Sequence, residues 1–398
     1  MAFTSLIKHL IHADWDIEGL KSSGIEIPSV HYLYRGALIR GQLISRIKNL
    51  DEIPSPYLTG IMDKFFEQDV NVLIQRTRGC PFSCTFCGEG TEYYNKVARF
   101  STGRFGAELV YCAERLKNKE GRSTLMHIAD ANFGMFPEDL LVAEQISAVR
   151  REYGWPRKIE VPTGKNKKEQ VLKVINKINQ GIKPIVRLTA SVQSTNEQVL
   201  KYIKRSNIAI SSLINNAKEK EKEGTTLAYG EVILALPGDS FGAHTKSIKD
   251  LIDEGVQKIS HQYLTLLPGT EMASLENREM YGVRSAFRIM PGAYGSYQWG
   301  GNEFQWFETE ERAIANNSLS FDDYLKCVEY DLVIETFYND NLFDEYTGLL
   351  KFLGLPISSY VDEIFALRSE FPPGLDKAFR EFVAGRKNEL LYNNGSLI

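Results

Sequence analysis

Three of the five cysteines fall within eight residues, in the segment Arg78-Gly79-Cys80-Pro81-Phe82-Ser83-Cys84-Thr85-Phe86-Cys87-Gly88. The spacing CxxxCxxC lets three thiolates converge on one small inorganic centre, and soft thiolate ligands select iron–sulfur clusters or zinc. A structural zinc site normally takes four protein ligands, commonly as two separated pairs, and the sequence has no second CxxC pair. Cys112 and His127 are the nearby residues of ligating type. Cys112 lies on the apolar face of a helical pattern and reads as a core thiol, while His127 sits inside a strand pattern and reads as a satisfied interior histidine. An electron-transfer cluster usually takes four cysteines, so three leave one iron of a four-iron cluster without a protein ligand. An open metal position is what a catalytic site needs, because a substrate or cofactor can occupy it. With Cys327 the count is odd and sparse, unlike a secreted disulfide framework.

The elements that must position this loop alternate between strand and helix. Val70–Gln75 is a short apolar strand pattern running straight into the cysteines. Helical spacing follows at Gly106–Lys117, with Leu109, Cys112, Ala113 and Leu116 on one face. The alternation continues with strands at Leu125–Ala129, Lys158–Val161, Ile185–Val192, Leu227–Leu236 and Lys258–Leu266. Between them lie helices at Glu138–Tyr153, Glu169–Asn179, Glu197–Lys204, Ser211–Glu223 and His244–Glu254. Six strands alternating with helices predict a parallel sheet with right-handed crossovers. The pattern changes beyond residue 280. Gly292–Phe307, rich in glycine and aromatics, reads as an irregular packed linker, with closure over a substrate as the other reading. Helices are expected over 321–337, 342–353, 358–370 and 375–390, the first with Ser320 as N-cap and Asp322 and Asp323 in its first turn. Upstream, residues 1–68 are mixed, and Pro54 and Pro56 mark an extended connector, DEIPSPYL.

Composition bounds the class. The chain has 398 residues, 43% apolar and 25% charged, which excludes a dominantly disordered chain. No apolar run reaches the ~18 residues of a membrane helix, and the polar N-terminus does not read as a secretory signal. A cytoplasmic protein with no membrane partner is expected. The net charge of −4 is unevenly spread, +5 over residues 1–200 and −9 over 201–398. The basic stretch at 151–200, which includes Lys165, Lys167 and Lys168, is short and lies among helical residues, so it reads as a solvated face rather than a nucleic-acid surface. The run Lys218-Glu219-Lys220-Glu221-Lys222-Glu223 reads as the exposed end of a helix.

The cysteine segment resembles the signature of the radical S-adenosylmethionine superfamily, down to the aromatic Phe86 before the third cysteine, the leading Arg-Gly-Cys-Pro and the trailing Gly88. The resemblance implies an α/β fold, a partial (β/α)6 barrel over residues 69–280, with an N-terminal extension at 1–68 and a mainly helical C-terminal region at 281–398. It implies that Cys80, Cys84 and Cys87 hold a 4Fe-4S cluster whose open iron chelates S-adenosylmethionine. One electron would then cleave the sulfonium to a 5′-deoxyadenosyl radical, in a cavity closed to water. Other segments extend the resemblance. His127-Ile128-Ala129-Asp130-Ala131-Asn132-Phe133-Gly134 is similar to the family's methionine-binding motif, with Ala131 replacing its second acidic residue. Ser191-Val192-Gln193-Ser194 is similar to the fourth-strand motif that touches ribose and carboxylate. The resemblance therefore assigns Phe86, Asp130, Ser191 and Gln193 to the cofactor. As plain sequence, Asp130 could equally be a turn cap and Ser191–Ser194 a helix-capping run. Leu236-Pro237-Gly238-Asp239 and Leu267-Pro268-Gly269-Thr270 look like the ends of the fifth and sixth strands, and Lys204-Arg205 reads as structural.

The flanks are similar to the subgroup that carries a cobalamin-binding domain. Asn49–Tyr57 looks like the linker that follows that domain, and Ser320-Phe321-Asp322-Asp323-Tyr324-Leu325 looks like its helical tail. About fifty residues precede the linker, short of a Rossmann-like domain, and Asp14-Trp15-Asp16 lacks the histidine of Asp-x-His-x-x-Gly. Cobalamin is therefore a conditional expectation: the module is lost, or the gene is truncated, or the module is borrowed from a separate cobalamin-binding partner. A reductant such as flavodoxin or ferredoxin is the other expected partner. Methyl transfer or rearrangement of an unidentified substrate would follow radical formation. The competing reading is a non-catalytic zinc or iron–sulfur protein, or a truncated inactive member.

Overall fold

The computed structural model describes residues 2–164, 166–180, 185–186, 188–207, 228–339 and 342–391. Lys165, the expected helix over 211–223 and the alternating charge run within it lie outside the described residues. The chain separates into two compact units, Met1–Leu50 and Asp51–Ile398. The first holds helices α1 (Ala2–His12) and α2 (Ile17–Ser22) and the antiparallel pair β1 (His31–Tyr34) and β2 (Ala37–Arg40). Asp16 caps α2 by accepting from the Gly19 amide at 2.9 Å.

In the second unit the order is β3 (Val72–Ile74), β4 (Thr77–Arg78), β5 (Ala98–Arg99), α3 (Thr102–Leu116), β6 (Leu125–Ile128), α4 (Asp139–Tyr153), β7 (Lys158–Glu160), α5 (Lys168–Asn179), β8 (Leu188–Gln193), α6 (Glu197–Tyr202), β9 (Ala228–Leu234), α7 (Phe241–Glu254), β10 (Lys258–Tyr263) and α8 (Leu275–Tyr281). Strands β3, β6 and β7 form one parallel sheet, and β8, β9 and β10 another, each in sequence order. An isolated parallel bridge joins Ile159 of β7 to Val186, just ahead of β8. The mixed α/β class and the alternation expected from the sequence are thus observed.

Period-2 alternation in the strands decides what the sheet covers. Val72, Ile74, Met126, Ile128 and Ile159 are buried with Phe105, Leu109, Cys112, Val142, Ile146, Val171 and Val174, the inward stripes of α3, α4 and α5. Each such buried aliphatic or aromatic side chain contributes about 1.5–3 kcal/mol. The opposite face carries Leu73, His127 and Glu160 in cross-strand register. His127 bonds Asn71 at 3.1 Å and faces Glu160 at 3.4 Å, with a side chain 32% exposed. It is therefore not the interior histidine expected, because it points to the sheet face that these helices leave uncovered. Side-chain caps set the helix starts, with Ser101 capping α3 a full turn earlier than the sequence pattern suggests and Ser240 capping α7.

Two connections differ from expectation. DEIPSPYL is folded into successive turns rather than extended, and it packs within the second unit. The Tyr57 hydroxyl donates to the Leu73 carbonyl at 2.8 Å, and the Ser55 hydroxyl to Glu108. The Gly292–Phe307 linker is instead regular structure, the distal part of a long antiparallel hairpin of β11 (Arg284–Trp299) and β12 (Asn302–Ala315). Its turn is Gly300-Gly301, both with positive φ, a two-residue hairpin signal that the surrounding glycines masked. The proximal part is anchored by buried Ala286, Ala313 and Ile314, whereas Tyr294, Trp299 and Trp306 are exposed. The tail is helical as expected, with α9 (Phe321–Phe337, capped by Ser320), α10 (Asp344–Phe352), α11 (Ile357–Ala366) and α12 (Pro373–Asn388). Buried residues of α9, α11 and α12 pack with those of α7, β9 and β10.

Candidate cluster-binding site

The cysteine loop leaves β3, pairs β4 with β5 in antiparallel fashion, and is tied down by main-chain bonds. The Cys80 amide donates to Tyr94 O at 3.1 Å, Cys87 to Cys84 O at 3.1 Å, and Thr85 to Ile203 O at 3.2 Å. The Met272 amide donates to Thr85 O at 2.9 Å, so the loop is fixed to the ends of both α6 and the segment after β10. Gly79 has φ +98°, and a Cβ there would lie 2.5 Å from Lys96 O and 2.6 Å from Tyr94 O. At Gly90 a Cβ would lie 2.3 Å from Cys84 O. Both positions let the backbone approach more closely than any side chain permits.

Cys80 and Cys84 are buried and Cys87 is half-buried. Asn132 donates from Nδ2 to Cys80 Sγ at 3.0 Å. Arg205, itself buried, lies near enough to Cys84, Cys80 and Glu231 for them to act on its charge. Burial lowers its pKa, and those thiols and the carboxylate oppose the shift. Arg205 also donates to Ser191 O and to Asn207 Oδ1. Phe86 is partly buried against the core that holds Val199, Ile203 and Leu266.

The other residues of the resemblance converge on the same end of the sheet. Asp130 is 1% exposed, and its Oδ1 accepts from the amides of Arg76 (2.8 Å) and Thr77 (3.0 Å). Burial raises its pKa, opposed by those amides. Asp139 ties down the following turn, accepting from Gly134 N (2.8 Å) and Phe136 N (3.0 Å) while pairing with Arg76 at 3.2 Å. Ser191 donates to Glu231 across the β8–β9 register. Between Ser191 and Gln193 the register shifts, and Gln193 takes φ +66°, a bulge that re-aims its side chain. Asp130 Oδ2, Asn132 Oδ1, Gln193 Oε1, Thr85 Oγ1 and Arg205 Nη1 are all buried without a hydrogen-bond partner. Unpaired buried polar atoms are costly and rare, and their grouping on the elements around one cysteine loop fits a polar cofactor that binds there. Three of these contributors are not assigned from sequence: Asn132 and Thr85 sit inside motifs without a role of their own, and Arg205 reads as structural.

No family model matches the chain. It is 26% identical over 325 residues to the cobalamin-dependent radical SAM methyltransferase TokK of Streptomyces tokunonensis. It is 27% identical over 322 residues to the 2-(S-pantetheinyl)-carbapenam-3-carboxylate methyltransferase of Streptantibioticus cattleyicolor. Each match covers 79% of this chain and 45% of the relative, so the chain spans about half the length of these curated relatives. Among solved structures, the cobalamin-dependent S-adenosylmethionine radical enzyme OxsB, with aqua-cobalamin and S-adenosylmethionine bound, superposes with a TM-score of 0.53 at 14% identity, covering 97% of this chain and 54% of that one. The chain's relatives are thus radical SAM methyltransferases, and its fold is shared with a radical SAM enzyme.

Proposed function

We propose that this chain is the catalytic barrel of a radical S-adenosylmethionine enzyme, with its six parallel strands arranged as a partial (β/α)6 barrel. The observation that carries the reading is the three-cysteine loop ringed by orphaned buried polar atoms on the turn after β6, the end of β8 and the Arg205 turn. Cys80, Cys84 and Cys87 would hold a 4Fe-4S cluster, with Asn132 donating to one sulfur and Arg205 placing a buried positive charge beside another. When bound, the cluster supplies the electron that cleaves the sulfonium of S-adenosylmethionine to a 5′-deoxyadenosyl radical.

The chain's own residues would orient that cofactor and keep it dry. Asp130 Oδ2 offers an acceptor for the ammonium group, Ser191 and Gln193 offer polar contacts to ribose and carboxylate, and Phe86 offers a face for adenine. Methyl transfer is the reaction suggested by the relatives, one of which is cobalamin-dependent.

The test is anaerobic reconstitution with iron and sulfide, reduction, and assay of 5′-deoxyadenosine from S-adenosylmethionine, with added cobalamin and methyl acceptors in a second arm. Cluster formation with 5′-deoxyadenosine or S-adenosylhomocysteine production is expected, and Cys84→Ala should abolish both. Absence of a cluster in the folded chain would refute the proposal.

A further inference from the structure

A second metal-type constellation lies away from the cysteine loop, between β10 and helices α7 and α9. His244 of α7, His261 of β10 and Asp331 of α9 each offer a ligand atom, all within 4.8 Å of one another. His244 Nε2 is 2.8 Å and His261 Nδ1 2.9 Å from Asp331 Oδ1. The side chains are 2%, 10% and 7% exposed, in surroundings that include Val232, Ile248, Ile259 and Ile334. Both ring nitrogens of His261 and Oδ2 of Asp331 are buried without an aligned hydrogen-bond partner.

We propose that His244, His261 and Asp331 bind a divalent cation of the zinc class, with a water completing its four-coordination, and that this ion pins helix α9 to β10 and α7. Four arguments support the assignment. Two imidazoles and a carboxylate are a donor set that zinc accepts. A tetrahedral ion with bonds of about 2.0–2.1 Å needs donors about 3.3 Å apart, so opening the present contacts by about half an ångström would accommodate it. With Nε2 of His244 turned to the ion, its Nδ1 faces Asp239 Oδ2 at 4.0 Å, beyond hydrogen-bonding distance, so this second carboxylate acts on the site through its charge. Finally, two carboxylates balance the charge of one divalent ion, as a buried charge requires. The closed surroundings suit a structural ion rather than a substrate-binding one.

The proposal does not depend on the cluster reading, and its test is built to be independent of it. The full chain carrying Cys80→Ala, Cys84→Ala and Cys87→Ala, which cannot take up zinc on those thiolates, is stripped with a chelator. It is then titrated with Zn²⁺ against a chromophoric competitor, and in parallel with Co²⁺ and Fe²⁺. One equivalent of Zn²⁺ per chain, intense visible bands of four-coordinate Co²⁺ and a zinc-dependent rise in Tm are expected. His261→Ala and Asp331→Asn should remove the binding, and Asp239→Asn should weaken it about 10–100-fold. Less than about a tenth of an equivalent bound to a folded chain, or uptake unchanged by His261→Ala, would overturn the proposal, as would preference for Fe²⁺ with open coordination sites. If the cysteine-free chain fails to fold, the unmodified chain is compared with its His261→Ala variant. One equivalent less zinc in the variant supports the site, and equal zinc overturns it.

Discussion

Glycine-to-alanine changes around the cysteine loop test the site's geometry with one added methyl group each. At Gly79 the backbone is in the left-handed region, and the methyl would meet two carbonyl oxygens at 2.5 and 2.6 Å. The conformational penalty is about 1–2 kcal/mol, and overpacking adds about 1–3 kcal/mol, for a total of roughly 2–5 kcal/mol. At Gly90 φ is unexceptional, but the methyl would sit 2.3 Å from the carbonyl oxygen of Cys84, so the overpacking cost alone applies, and it falls on a proposed ligand. Gly88 is the internal control, because a Cβ there meets nothing within 4 Å. With an unfolding entropy of about 2.1 cal/mol/K per residue, the second unit of roughly 350 residues loses about 1.4 °C in Tm per kcal/mol. Gly79→Ala should therefore lower Tm by about 3–7 °C and Gly90→Ala by about 1–4 °C. Both should reduce iron and sulfide retained after reconstitution, while Gly88→Ala matches the parent in both measurements. The assays are a circular-dichroism melt and iron–sulfide analysis. Parental Tm and iron content in Gly79→Ala, or losses in Gly88→Ala equal to those at Gly79, would refute the loop geometry.

Further expectations follow from the same structure. Trp155 is 1% exposed and donates from Nε1 to Ser123 O at 2.8 Å, so Trp155→Ala should cost about 3–5 kcal/mol in urea unfolding. Trp299→Ser, at an 80% exposed site on the hairpin, should change stability by less than about 0.5 kcal/mol. Cys112 is fully buried on α3, and burial pushes its thiol pKa up, so Cys112→Ala should keep the iron content that Cys84→Ala loses. Burial pushes the Asp139 carboxyl up to about 6 from 3.8, against the opposing influence of Phe136 N and Arg76. A raised folded-state pKa gives stability that is full below the unfolded value and is lost as pH rises through about 6. The parent should therefore lose about 2.4 kcal/mol relative to Asp139→Asn between pH 4 and 7, read from urea midpoints at each pH. A difference between the two proteins that stays constant with pH would exclude that assignment.

Much of the α/β fold was legible because its signals are local. Apolar runs at Val72–Ile74 and Leu125–Ile128 and helical stripes such as Leu109, Cys112 and Leu116 repeat at the periods their elements require. Ser320 announced α9 because a cap bonds within three residues. What escaped the sequence depends on contacts distant along the chain. Arg205 lies more than a hundred residues from Cys84, and the His244–Asp331 contact spans 87 residues. The hairpin was hidden for a different reason, since its glycines and exposed aromatics resemble a loop until cross-strand pairing makes a register of them. His127 was misread because strand alternation tells which residues share a face but not which face the helices cover.

The central claim is that three cysteines leave one iron open to S-adenosylmethionine. Electron paramagnetic resonance of the reduced, reconstituted chain tests it directly. Adding S-adenosylmethionine should shift the g-values of the reduced 4Fe-4S signal, and methionine labelled with ¹⁵N or ¹⁷O within the cofactor should show hyperfine coupling to the cluster. A fully reduced cluster whose spectrum is unchanged by saturating S-adenosylmethionine would contradict the account.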